Sequence, residues 1–124
     1  MKYVLLVHHD EKVIREIGEV ELQRMREESV QLARQLNSSG NYLDAAPLHP
    51  ASTATSVRIR DGKRFLTDGP FAETREQLGG YFLIDAKDLD EAIRIAARIP
   101  GARIGVVEIR PLMKIARPQT SEAL

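Results

Sequence analysis

The sequence predicts an α+β domain in which two β-α-β units flank a β-hairpin, and three observations predict it. Strand-like apolar runs, KYVLLVHH near the start and RIGVVEIRPL near the end, bracket the chain. Two stretches with helical spacing each stand between strand-like runs, one within 13–37 and one opened by Asp88. Between the units lies SVRIRDGKRFLT, whose Asp61-Gly62 pair is suited to a tight hairpin turn.

Each element follows from its residues. KYVLLVHH is apolar on both alternating faces, as a strand covered on both sides would be. A helix within 13–37 places Leu22, Met25, Ser29, Leu32 and Leu36 on one stripe, and Gly40 stops it because glycine takes the left-handed conformation at little steric cost. NYLDAAPLHP reads as a shorter extended segment ending in a proline-bounded loop. In the hairpin, Val57 and Ile59 alternate with Arg58 and Arg60, the arginines forming a solvated face.

DGPFAETREQLGG then joins the hairpin to the strand YFLIDA. Asp68, Gly69 and Pro70 favour a defined turn, Phe71 is suited to anchor it, residues 73–76 to form a helical turn, and Gly79-Gly80 to let the backbone enter the strand closely. Asp88 and Glu91 resemble a capping box for a helix carrying Leu89, Ala92, Ile93 and Ala96, limited by Pro100. MKIARPQTSEAL has little periodic pattern and reads as a tail.

A repeated β-α-β plan with helices on one face of a largely antiparallel sheet is ferredoxin-like. Helices on one face cannot cover strands that are apolar on both, so a second subunit is expected, giving a homodimer with its sheets face to face: a dimeric α+β barrel.

Composition narrows the function classes. The 124 residues suit one domain, and 43% hydrophobic content supplies one core. Eighteen basic and eighteen acidic residues cancel, which argues against nucleic acid as a partner. With no cysteine there is no disulfide framework or thiolate nucleophile. No apolar run reaches membrane-spanning length and MKYVLLVHHD does not continue as a signal peptide, so the expectation is a cytoplasmic protein with no membrane partner.

Thr67-Asp68-Gly69-Pro70-Phe71-Ala72-Glu73-Thr74, followed by Glu76-Gln77-Leu78-Gly79-Gly80-Tyr81, closely resembles the signature of the DGPF group of YCII-related proteins. The resemblance covers residues 1–112 and leaves 113–124 as an extension. It implies a dimeric α+β barrel of ferredoxin-like subunits and no particular reaction. Many members of the broader family carry a His-Asp pair in the cleft, the aspartate near the end of the first strand and the histidine on the first helix. Asp10 matches that aspartate, whereas Ser29 stands where the helical histidine is expected. The family includes a chlorinated-aromatic dehydrochlorinase, and the wider superfamily has isomerases and monooxygenases acting on small cyclic compounds. Genes of DGPF proteins often neighbour those of extracytoplasmic-function sigma factors.

The residues suggest the following site. Imidazole takes a proton near neutral pH and a carboxylate orients it, which nominates His9 with Asp10 for catalysis. Adjacent strand residues point to opposite faces, so only one of His8 and His9 is expected in the cleft. Ser29, Asp68, Arg75 and Tyr81 are the ligand-binding candidates, with Arg75 suited to a carboxylate or phosphate. His49 and the His8-His9 pair lack the separations of a metal motif, so neither metal nor other cofactor is expected. The reading is a small-molecule-binding protein of the cofactor-independent lyase, isomerase or hydrolase kind, acting on a small cyclic or anionic compound. The alternative is a non-catalytic regulatory or sensor protein with a protein partner in a sigma-factor pathway.

Overall fold

The computed structural model of the chain describes residues 1–116. Strand β1 (Lys2–Asp10) leads into helices α1 (Glu11–Ile17) and α2 (Glu19–Ser38), then β2 (Tyr42–Pro47), β3 (Thr55–Arg60), β4 (Lys63–Asp68) and β5 (Glu76–Asp85). Helix α3 (Leu89–Ala96) and strand β6 (Gly105–Pro111) follow. β2, β5, β1 and β6 lie side by side in that order as a four-stranded antiparallel sheet, while β3 and β4 form a separate two-stranded sheet. The fold is ferredoxin-like, as the pattern predicts.

Alternation along β1 divides the sheet. Tyr3, Leu5 and Val7 are buried and pack with Phe82 and Ile84 of β5, Leu32 and Leu36 of α2, and Ala92, Ile95 and Ala96 of α3. Each large side chain fully removed from water there contributes roughly 1.5–3 kcal/mol. Val4, Leu6 and His8 point the other way and are only half-buried, on a face that no helix among the described residues covers.

The single helix expected within 13–37 is two. Asp10 caps α1 by accepting the Lys12 N–H at 2.9 Å, and Gly18, with φ of 91°, turns the chain before α2. In α3 the buried residues are Ala92, Ile95 and Ala96, whereas Leu89 and Ile93 are exposed, so the packed face is rotated from the expected one. Its start agrees with expectation: the Asp88 carboxylate accepts the Glu91 N–H at 2.9 Å, and Glu91 accepts the Lys87 N–H at 3.0 Å.

The hairpin turn is as expected, Asp61 and Gly62 both having positive φ, the pattern of a type I′ turn. Its two faces are nevertheless alike, Val57 and Ile59 being exposed along with Arg58 and Arg60. The DGPF loop departs from expectation in two ways. Phe71 is 83% exposed and so anchors nothing within the chain, and β5 begins at Glu76 with no helical turn before it. The turn is held through the Gly69 backbone: its N–H donates to Ala54 O at 2.7 Å, and its carbonyl accepts from the Ser56 hydroxyl at 3.0 Å.

Residues 113–116 continue without regular structure, and the rest of the expected extension lies outside the described residues. No helix among the described residues is long and apolar enough to cross a membrane.

Candidate functional site

Gly79 fixes the local geometry. Val7 pairs with Gly80 but His8 pairs with Leu78, which leaves Gly79 as an extra residue, a β-bulge in β5. A Cβ at Gly79 would overlap the His9 ring at Nε2, so the missing side chain makes room for the imidazole. His9 shares the alternation of Tyr3, Leu5 and Val7, and its Nδ1 is buried without a hydrogen-bond partner. The bulge therefore seats His9 towards the helix side of the sheet.

On the open face, His8 and Asp10 stand two residues apart and so share one side of the strand. His8 Nε2 lies 3.1 Å from Glu108 Oε1 on β6, and the Glu108 Oε2 atom accepts from Arg110 Nη1 at 3.4 Å. Arg75 reaches Asp10 with Nε at 3.7 Å from Oδ2, a loose ion pair, and remains 89% exposed. Its guanidinium is thus open to a further anionic partner. His8, Thr74, Arg75, Glu76, Val106 and Glu108 line an open groove of about 450 Å³.

This arrangement suits proton transfer. When Nε2 of His8 carries the ring proton and donates a hydrogen bond to Glu108, the carboxylate fixes the ring and Nδ1 is left to accept a proton. Glu108 was not nominated by the sequence, although its signal is there: it is the acid within the otherwise apolar run GVVEI.

The expected site residues divide between the two sides of the sheet. Asp10 and Arg75 meet at the groove end. Tyr81 is on the same open face but farther along β5, where its hydroxyl donates to Asp44 Oδ2 at 2.7 Å. That bond holds the phenol above its ordinary pKa of 10.0, with desolvation and the Asp44 charge adding to the shift. His9, as described, faces the other way. Ser29 is half-buried on α2, the helix that packs on the covered face. Asp68 is exposed at the end of β4, opposite Thr55. His49 is exposed in the loop after β2, and among the described residues no group of three His, Cys, Asp or Glu side chains is arranged to hold a metal.

Residues 1–116 match the YCII-related domain. The chain is also similar to an uncharacterised protein of Rhizobium meliloti (strain 1021), 36% identical over 114 residues that make up 90% of this chain and 92% of that one. The chain belongs to the YCII-related family.

Proposed function

We propose that this YCII-related protein binds a small cyclic molecule with an anionic group in the groove at the end of β1, and moves a proton on it without a redox cofactor. The observation that carries the reading is the His8–Glu108 pair, 3.1 Å apart, lining one groove with the exposed guanidinium of Arg75. Arg75 holds the anion by charge-assisted hydrogen bonds, and His8 takes or returns the proton while Glu108 keeps the ring oriented. Such a pair serves isomerase, lyase or hydrolase chemistry. His8 replaces His9 as the proposed proton carrier, because His8 lines the groove with Arg75 and Glu108.

The open sheet face around the groove is the proposed homodimer surface. Leu78 and Val106 are exposed on it, and Val4, Leu6 and Leu83 are only half-buried. A second copy would cover them. The cytoplasm remains the proposed compartment for a cysteine-free chain.

Isothermal titration with a panel of small cyclic carboxylates tests the ligand reading. At least one should bind the wild-type protein, and Arg75→Ala should weaken it roughly 10-fold or more, as for loss of a hydrogen bond to a charged group. A panel that fails to bind, or that binds the variant equally well, would overturn it. A second reading, a non-catalytic regulatory subunit, is favoured by one observation: Phe71 stands 83% exposed in the loop that also carries Arg75. That reading predicts loss of a protein partner, with carboxylate binding intact, in Phe71→Ser.

A further inference from the structure

Among the described residues the β3–β4 hairpin pairs with no strand of the four-stranded sheet, yet it is rich in apolar side chains. Val57, Ile59, Phe65 and Leu66 are 61%, 56%, 51% and 59% exposed. In register, Val57 stands opposite Leu66 on one face of the ribbon and Arg58 opposite Phe65 on the other. A two-stranded ribbon is at best marginally stable alone in water, so this one gains from a surface to lie on.

Charge identifies that surface. The hairpin tip carries Arg58, Arg60, Lys63 and Arg64 against the single carboxylate of Asp61. The groove end of the open sheet face carries the carboxylates of Asp10, Glu76 and Glu108 against the guanidinium groups of Arg75 and Arg110, with Leu78 and Val106 exposed beside them. A cationic ribbon with apolar flanks thus complements an acidic, partly apolar sheet face. The hairpin also springs from the groove end of its own sheet, between Pro47 and Glu76. In a two-fold pairing of open faces the same contact is then made twice.

We propose that each protomer lays its β3–β4 hairpin on the open sheet face of a second copy, setting its cationic tip beside the partner's His8–Glu108 groove, so that both chains build each site. The proposal rests on the groove being the binding site, and it adds where the second wall comes from. The tip arginines then supply further anion-binding donors to the partner's groove, which deepens the reading of an anionic ligand.

Because the chain has no cysteine, single introduced cysteines report the contact cleanly. Chains carrying Arg60→Cys are mixed with tagged chains carrying Val106→Cys under mild oxidation, and Arg34→Cys on the exposed side of α2 serves as the control. The proposal predicts roughly 10-fold or more disulfide-linked heterodimer for Arg60→Cys than for the control, since only cysteines whose Cα atoms approach within about 7 Å are bridged. Equal yields, or a wild-type protein that sediments as a monomer, would overturn it. The double variant Val57→Ser with Leu66→Ser changes only exposed positions, so it should keep its far-UV circular dichroism while sedimenting as a monomer; an unchanged dimer would also overturn the proposal. The two readings fail separately: cross-linking without carboxylate binding removes the ligand reading and keeps the arm, whereas binding without cross-linking removes the arm and keeps the groove.

Discussion

The two faces of β1 differ in what covers them and in what they carry. Tyr3, Leu5 and Val7 are buried under the helices, while Val4, Leu6 and His8, one residue out of phase, stand half-buried on the open side. Among the described residues, the fully buried side-chain polar atom without a hydrogen-bond partner is His9 Nδ1, at the strand end beside the Gly79 bulge. The open face collects ionisable groups at that same end. The difference teaches that a strand apolar on both faces signals two different covers, one supplied by this chain's helices and one proposed to come from a second copy.

The largest test of that comparison is a pair of substitutions on neighbouring residues. Leu5→Ala removes a side chain with no exposure and should cost about 2–5 kcal/mol in urea unfolding. Leu6→Ala should cost roughly 1 kcal/mol in dilute protein, in keeping with partial burial, and more as concentration rises and the open face becomes covered. Equal, concentration-independent losses would mean that the chain covers both faces by itself.

The bulge gives a smaller effect. Gly79→Ala forces a Cβ into the His9 ring and should cost on the order of 1–3 kcal/mol by thermal or urea unfolding. Adding His9→Ala empties the contested space and should recover much of that loss relative to His9→Ala alone. If the double variant recovers nothing, the bulge is not there to seat His9.

Smallest is the surface pair that ties α2 to the segment before β6. Arg103 donates to Glu28 from both terminal nitrogens, at 2.7 and 2.9 Å, and this hydrogen bonding holds the Glu28 carboxyl below its ordinary pKa of 4.5, against an opposing desolvation and with the Arg103 charge adding to it. A lowered folded-state pKa means that the contribution is present above pH 4.5 and is lost as pH falls through the folded value. Glu28→Gln should therefore be slightly less stable than wild type at neutral pH, with the difference closing below pH 4.5. Both partners are more than one-third exposed, so salt should shrink it further. A difference that persists at low pH would point to packing rather than charge.

Much of the fold was legible because it rests on local chemistry. Asp61-Gly62 requires the turn it makes, Asp88 caps the helix it precedes, and the apolar period of β1 admits only a strand. The break at Gly18 was harder to read, since apolar residues continue on both sides of it and a glycine inside a helical pattern is not by itself a stop. Phe71 misled because hydrophobicity says that a ring seeks cover without saying from which chain. In the site, Asp10 and Arg75 were visible as residue types, but the choice between His8 and His9 depended on which alternation faces the helices, and that is set by contacts with α2 and α3 far away in sequence. Glu108 was missed for the same reason: its meaning comes from a neighbour exactly one strand over, a hundred residues away.

The proposed site requires that ligand reach the open face at the end of β1. The most direct measurement follows the three imidazoles, His8, His9 and His49, by long-range proton–nitrogen NMR while the cyclic carboxylate that binds best is added. The account predicts that the His8 ring nitrogens shift with saturation while those of His9 and His49 stay in place. A shift confined to His9, with His8 unmoved, would contradict it and move the site to the helix side of the sheet.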